Sequence, residues 1–160
     1  MTTTTFTGLT LALAFALAWG QPATAAGQQA TYIAADRTTA AFAKGQPLLE
    51  TDRYKVHASR REAPGQAEIH DADTDVIYVL DGTATIVTGG QATAVRETAP
   101  GERRGQAIDG GTAQRLAKGD VLVVPNGVPH QFTEIQGPFL YYVVKVTAAS
   151  AAPAAARSTR

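Results

Sequence analysis

Residues 119–132, GDVLVVPNGVPHQF, are the part of the chain that best defines its fold. The aliphatic run at 121–124 is typical of a β-strand. The sequence PNG at 125–127 favours a turn. His130 then begins a second strand-forming stretch, so we expect its imidazole to face the interior of an antiparallel sheet.

Outside this segment the chain alternates between strand-forming runs and turn residues. Further strands are expected at 54–60, 76–80, 83–87, 130–133 and 139–144, separated by Asp-Gly, Gly-Gly, Gly-Asp and Gly-Pro pairs. One short N-terminal helix is expected at 36–43, with Asp36 as its N-cap and Gly45 as its stop signal. This pattern predicts an all-β sandwich or barrel with one short helix.

A long connection interrupts the pattern at residues 94–115, AVRETAPGERRGQAIDGGTAQR. A connection of this length in a small domain is usually functional or mobile, or it contains short strands. One interpretation is a solvated excursion whose charges pair with one another. Another is a lid in which Arg103 or Arg104 meets an anionic ligand.

The composition excludes several classes of protein. The 160 residues are 44% hydrophobic and carry 14 basic and 14 acidic side chains. This size fits a single domain. A net charge of zero argues against nucleic acid binding, which needs a basic surplus. Because the chain has no cysteine, disulfides, thiolate metal sites and cysteine nucleophiles are excluded.

The two ends of the chain differ from the middle. Residues 8–19 form an apolar run followed by small residues at 23–25, as in a secretory signal peptide cleaved after Ala25. The run is shorter than the roughly 20 residues that span a bilayer. The predicted organisation is a signal peptide (1–25), a leader (26–35), a folded domain (36–147) and a disordered Ala-rich tail (148–160). We therefore expect a periplasmic or secreted protein with no membrane span.

Residues 65–82, GQAEIHDADTDVIYVLDG, contain a second group of chemically useful side chains. Glu68 and His70 are two apart, so on a strand both project from one face. A short turn at 71–74 then lets Asp75 begin the next strand facing the same interior.

These segments resemble the two sequence signatures of the cupin superfamily. The second signature, G-x5-P-x-G-x2-H-x3-N, is matched at Gly119, Pro125, Gly127 and His130, with Glu134 where the Asn would be.

The first signature, G-x5-H-x-H-x4-E-x6-G, is matched only in part. His70 and Gly82 stand at their expected positions. Glu68 takes the place of the first His, and Asp75 takes the place of the Glu.

The resemblance implies a double-stranded β-helix, or jelly roll, with a divalent metal in the mouth of the barrel. It implies a homodimer as well. The implied metal ligands are Glu68, His70, Asp75 and His130. Two imidazoles and two carboxylates suit Fe, Mn, Zn, Ni or Co. If the short Asp75 reaches the ion only through water, a triad of Glu68, His70 and His130 remains, as in non-haem Fe(II) oxygenases.

Each of these side chains also has an interpretation without a metal. Asp75 can hydrogen-bond its own backbone in a turn. Glu68 can be a solvated residue on a pocket rim, and His130 can be a buried histidine with satisfied hydrogen bonds. Their combined spacing in two segments favours metal binding.

Other residues are candidates for further roles. His57 and Tyr142 are candidate catalytic groups. Glu134, four residues after His130, is a candidate support for the metal ligands. Arg103 and Arg104 are candidate contacts for a substrate. An apolar pocket wall, suited to a small apolar or aromatic molecule, is expected from Ile77, Val79, Val121, Val123 and Phe132.

Two functions of different classes follow from these observations. One is an exported metal-dependent enzyme, of dioxygenase or isomerase/lyase type, acting on a small organic molecule. The other is a non-catalytic module that binds a small molecule in the same barrel. A fold of this kind does not decide between them.

Overall fold

A computed structural model describes residues 29–149 of the chain. The predicted signal peptide, residues 26–28 of the leader and residues 150–160 of the tail lie outside the described residues. In the described part, no helix is long and apolar enough to cross a membrane. The regular elements, in chain order, are α1 Ala35–Lys44, β1 Gln46–Glu50, β2 Tyr54–Arg61, β3 Ala67–His70, β4 Asp73–Thr88, β5 Gln91–Ala92, β6 Arg96–Ala99, β7 Glu102–Gly105, β8 Ile108–Asp109, β9 Thr112–Ala117, β10 Val121–Val124 and β11 His130–Thr147.

Helix α1 confirms the predicted helix and extends it by one residue at each end. Ala34 is the N-cap and makes no side-chain capping bond, so the prediction that Asp36 caps the helix was wrong. Asp36 lies in the first turn instead, where a negative charge favours the helix N-terminus. Gly45 ends the helix with a φ of 63°, and its N–H donates to the carbonyl of Ala41.

The strands form a curled antiparallel sheet, which confirms the predicted all-β jelly-roll class. Strands β4 and β11 pair along most of their lengths and form its centre. Strand β2 pairs with the C-terminal half of β11, while Glu68 of β3 pairs with His130, the first residue of β11. Strands β9 and β10 pair with different parts of β4.

Strands β4 and β11 are longer than the sequence predicts because two expected turns are bends within strands. Gly82 lies inside β4 with a φ of 78°, a conformation that favours glycine. A Cβ at this position would lie 2.6 Å from the carbonyl oxygen of Pro138 in β11. The pairing register shifts between Gln136 and Leu140 at the same place. The two strands therefore bend together, as β-bulges allow.

The long connection at 94–115 contains short strands, which was one of its interpretations. Its hairpin of β6 and β7 joins the main sheet because β7 pairs with β3. The hairpin therefore places its charged side chains directly beside Glu68 and His70.

The main hydrophobic core lies between strands β4, β9 and β11. Its largest fully buried side chains are Phe139, Ile77, Ile86 and Val79. The predicted apolar wall was wrong for Val121 and Val123, which are 60% and 54% exposed. Alternate residues of a strand face opposite sides, and in β10 it is Val124 that is buried.

Candidate metal centre

The interior of the barrel contains a cavity of about 410 Å³ lined mainly by polar side chains. All three histidines of the chain line it, namely His57, His70 and His130. Its charged lining residues are four cations, Lys55, Arg61, Arg104 and Lys145, and four carboxylates, Glu50, Glu68, Asp75 and Glu102. Ile77 and Phe132 also line it, as predicted, but the expected apolar character is wrong for the cavity as a whole.

Strands β3, β4 and β11 bring the four candidate ligands together. Glu68 and His70 project from alternate positions of β3, and His130, the first residue of β11, pairs with Glu68. Glu68 Oε2 lies 3.8 Å from His70 Nε2 and 3.9 Å from His130 Nε2. These three residues offer donor atoms that all lie within 4.8 Å of one another. Asp75 is not in that group, although its Oδ2 lies 3.5 Å from His70 Nε2 and 3.9 Å from His130 Nε2.

Both imidazoles are held so that Nε2 faces the centre of the group. His70 Nδ1 lies 2.6 Å from Glu102 Oε2, on the residue directly opposite in β7. His130 Nδ1 lies 3.3 Å from the carbonyl oxygen of Val128. Because both partners accept hydrogen bonds, Nδ1 carries the proton in each neutral ring. The Nε2 lone pairs are therefore available to a ligand.

Two arginines hold Glu68 in its charged form. Arg104 Nη1 lies 2.5 Å and Arg61 Nη2 3.0 Å from Glu68 Oε1, so Oε2 is left to face the histidines. Burial raises the pKa of Glu68, but the hydrogen bond from Arg104 and the charges of both arginines lower it by more, so that the pKa falls to about 2. Arg61 is fixed in turn by Tyr141, whose hydroxyl accepts its Nε–H at 2.9 Å. Glu68 is thus a carboxylate at any ordinary pH.

Lys145 completes the group and was not predicted from the sequence. Its Nζ donates to both oxygens of Asp75, at 2.7 and 2.9 Å, and to His70 Nε2 at 2.8 Å. The signal was present in the strand FLYYVVKV, where Lys145 follows Tyr141 and Val143 at the alternating spacing of inward residues. A lysine at such a position in an apolar strand indicates a buried carboxylate nearby.

The two histidines of the centre have pKa values shifted in opposite directions, upward for His70 and downward for His130. Burial lowers the pKa of His70, as does Lys145, but the hydrogen bond and charge of Asp75 and the charge of Glu102 raise it by more. Burial lowers the pKa of His130, and the carboxylates of Glu68 and Asp75 offset this only in part. His130 is therefore neutral near pH 7, as a metal ligand must be.

The donor set fits a divalent metal ion. Ligand bonds of about 2.1 Å place neighbouring donors about 3.0–3.4 Å apart. The separations of 3.8 and 3.9 Å from Glu68 Oε2 therefore need only a small contraction. Two imidazole nitrogens and one carboxylate oxygen form a donor set that suits Fe(II), Mn(II), Zn(II), Co(II) or Ni(II). Glu68, His70 and His130 would hold the ion, and Lys145 lies on the side of His70 that faces it.

A second lysine–aspartate pair lies beside the centre. Lys55 Nζ lies 2.7 Å from Asp73 Oδ2, and the hydroxyl of Thr147 donates to Asp73 Oδ1 at 2.7 Å. Burial raises the pKa of Asp73, but these two hydrogen bonds and the charge of Lys55 lower it by more. No donor of the metal centre takes part in these hydrogen bonds.

Of the two candidate catalytic residues, His57 lines the cavity and Tyr142 does not. His57 lines the cavity and its Nε2 lies 3.0 Å from Glu50 Oε1. Tyr142 is outside the cavity, where its ring packs on Phe42 of α1 with centroids 4.9 Å apart. Its neighbour Tyr141 lines the cavity instead. The expected direction of Tyr142 was wrong because the bulge of β11 between residues 132 and 134 exchanges inward and outward positions in the rest of the strand.

Of the remaining predicted site residues, one lines the cavity and two lie outside it. Arg104 lines the cavity and binds Glu68, but Arg103 pairs with Asp71 outside it. Glu134 is exposed and accepts a hydrogen bond from Thr85 at 2.8 Å. A bulge between residues 132 and 134 turns it away from the interior, so its predicted contact with the metal ligands was wrong.

Comparisons with known proteins agree with this architecture. None of the curated proteins matches the chain. A protein from Bacillus halodurans has a similar structure, with a TM-score of 0.52 and 14% identity over 74% of this chain and 83% of its own. Hydroquinone 1,2-dioxygenase PnpCD, solved with Cd²⁺ and 4-hydroxybenzonitrile, has a TM-score of 0.50 and 16% identity over 66% of this chain and 64% of its own.

The DMSP lyase DddQ from Ruegeria pomeroyi has a TM-score of 0.44 and 18% identity over 64% of this chain. The chain spans only 42% of the lyase. At these identities the likenesses show the fold alone. The sequence profile of the family described as Cupin matches residues 31–159, and the chain therefore belongs to the cupin family.

Proposed function

We propose that this protein is a metal-dependent cupin enzyme acting on a small, polar organic molecule. The observation that carries the proposal is the convergence of Glu68, His70 and His130 in one cavity, with donor atoms within 4.8 Å of one another. Three protein ligands leave open coordination positions, as in catalytic rather than structural sites. When bound, the metal would act as a Lewis acid on a substrate oxygen.

The charge of the cavity favours an anionic substrate. The four cationic and four carboxylate side chains of its lining balance one another. A bound dication then makes the cavity positive, which attracts a carboxylate or an enolate. The expected substrates are therefore small hydroxy- or oxo-carboxylates rather than the apolar molecules predicted from the sequence.

His57 and Tyr141 are the side chains best placed to move a proton. Glu50 accepts the Nε2–H of His57 at 3.0 Å, so Nδ1 is the basic atom of the ring. Burial raises the pKa of the Tyr141 phenol although Arg61 acts in the opposite direction, so the phenol stays protonated and its hydroxyl is able to donate. A cavity rich in acid–base groups favours an isomerase or lyase over a dioxygenase.

Metal content tests the site. The full-length protein, purified from cells supplied with Fe, Mn, Zn, Ni and Co, should contain about one metal ion per chain. Glu68→Ala and His130→Ala should lose it. His57→Ala is the matched control, because it removes a histidine of the same cavity that does not converge on the site. A metal-free wild type, or equal metal content in all four proteins, contradicts the proposal.

The type of reaction is tested separately in D₂O with a panel of hydroxy- and oxo-carboxylates. Proton transfer should incorporate solvent deuterium next to the carbonyl, as followed by NMR. Oxygen consumption without deuterium incorporation would assign the protein to the dioxygenases instead.

The second candidate is a non-catalytic binding module. It is favoured by Lys145, which satisfies His70 and Asp75 without a metal. A wild-type protein that binds a member of the panel without metal and without turnover would establish it.

We also propose that the protein is exported, on the basis of residues 1–25. Mass spectrometry of the protein from the periplasm or the medium should find a mature chain that begins at Ala26.

A further inference from the structure

Two lysines line the cavity and each pairs with an aspartate, but only one of the lysines contacts the metal centre. Lys55 and Lys145 each hold an aspartate through Nζ at 2.7 Å. Only Lys145 also donates to an atom of the metal centre, His70 Nε2, at 2.8 Å. Its side chain is 13% exposed and that of Asp75 is 6% exposed, so this ion pair is largely shielded from water.

The contact with His70 has a direct consequence for metal binding. With its proton on Nδ1, held by Glu102, the ring has a single lone pair at Nε2. That lone pair accepts a hydrogen bond from the ammonium of Lys145 or binds a metal ion, but not both. An ion at His70 also lies close to the ammonium charge, which repels it.

Asp75 is affected by the same lysine. Both of its oxygens accept hydrogen bonds from Lys145 Nζ, at 2.7 and 2.9 Å. The carboxylate that the family signature would assign to the metal is therefore already neutralised by a cation of the chain itself.

We propose that Lys145 competes with the metal ion for His70 and withholds Asp75 from it. This inference rests on the proposed function. It makes the centre a weak, three-residue site in which Lys145 limits the affinity and keeps coordination positions open for the substrate. Lys145 is a positioning residue for the metal centre in this scheme.

The test is a titration of the metal-free, full-length protein with Zn²⁺ alone, in competition with a chromophoric chelator. Lys145→Met removes the repelling charge and frees Asp75 as a fourth ligand, so it should bind Zn²⁺ at least about tenfold more tightly than wild type. Lys55→Met is the matched control. It removes the same charge from the same cavity, next to Asp73, and should change the affinity by less than about threefold.

A second variant guards against misfolding, because Lys145→Met leaves Asp75 buried without a partner. The double variant with Lys145→Met and Asp75→Asn removes both charges. It should bind Zn²⁺ more tightly than wild type, because His70 Nε2 is free, but less tightly than Lys145→Met, because it lacks the carboxylate of Asp75. The Co²⁺ absorption spectrum should show a changed coordination in Lys145→Met and not in the double variant.

Each outcome decides at least one of the two proposals. Wild-type binding that is unchanged or weakened by Lys145→Met overturns the competition and leaves the proposed function intact. Weaker binding by the double variant shows that Asp75 is a ligand and also overturns it. An equal gain in Lys55→Met assigns the effect to overall charge, which overturns it too. If only Lys145→Met binds Zn²⁺, the competition holds and the proposed function of the wild type fails.

Discussion

The interior of the barrel changes character along its two central strands. In one region β4 and β11 contribute fully buried apolar residues, with Ile86 and Phe139 among them. In the other, the inward positions of the same strands carry Asp75 and Lys145. In both regions, alternate residues of the same two strands point inward. The difference teaches that the chemistry of the inward side chains separates a region that stabilises the fold from one suited to binding. If the two regions are independent, a change in one should leave the other unaffected.

The largest effect is expected in the apolar region. Ile86 is fully buried, so Ile86→Ala leaves a cavity and should lower the free energy of unfolding by about 2–5 kcal/mol. Urea denaturation measures this loss, with Val123→Ala as an exposed control that should change stability by less than about 0.5 kcal/mol. Zn²⁺ affinity of folded Ile86→Ala should equal that of wild type. Weaker Zn²⁺ binding would show that the two regions are coupled.

The next largest effect is a loss of metal affinity, expected from a substitution in the charged region. Glu102 orients His70 because its Oε2 lies 2.6 Å from His70 Nδ1, and the side chain of Glu102 is partly exposed. Glu102→Ala should therefore weaken Zn²⁺ binding by about 10–100-fold while changing stability little. Glu102→Gln keeps an acceptor for Nδ1–H and should lose less affinity. Equal losses in the two variants would mean that the charge of Glu102, rather than the orientation of His70, supports the metal.

Asp73 tests whether a buried charge beside the metal centre stabilises the fold, because its carboxylate pairs with Lys55 and Thr147 and not with a donor of the centre. Asp73→Asn should lower the free energy of unfolding by about 1–2 kcal/mol at pH 7, less than for a fully buried pair because Lys55 is partly exposed. The pKa of Asp73 is lowered in the folded state by Lys55 and Thr147 despite its burial. Its contribution is therefore present above the unfolded pKa of about 3.9 and is lost as the pH falls through the folded pKa.

Urea denaturation at pH 7, 5 and 3 measures this dependence. The difference between wild type and Asp73→Asn should be constant from pH 7 to 5 and smaller at pH 3. A difference that grows toward low pH has the wrong sign for a lowered pKa.

Most of the fold follows from features that are local in sequence. Alternating strand residues and turn pairs predict the sheet, and residues 36–43 predict the helix. The spacing of Glu68 and His70 predicts that both face the cavity, and it does so because β3 contains no bulge between them. The family signatures place Asp75 and His130 in the same interior.

The rest depends on contacts that local patterns do not contain. Bulges in β11 exchange inward and outward positions, which moved Tyr142 and Glu134 out of the cavity and Tyr141 into it. Glu102 reaches His70 only because β7 pairs with β3, a register set between distant segments. Lys145 was detectable as a charged residue in an apolar strand, but its partner Asp75 lies 70 residues earlier in the chain.

The smallest effect on metal affinity and stability is expected at Glu134, whose direction depends on whether β11 is an unbroken strand or contains a bulge. The family signature places this residue four positions after His130, on the inner face of an unbroken strand. The bulge at 132–134 instead turns it outward, toward Thr85. Glu134→Ala should therefore leave Zn²⁺ affinity unchanged and alter the free energy of unfolding by less than about 0.5 kcal/mol. A tenfold loss of Zn²⁺ affinity, measured beside Glu102→Ala as the positive control, would mean that Glu134 reaches the metal ligands and that β11 has no bulge in solution.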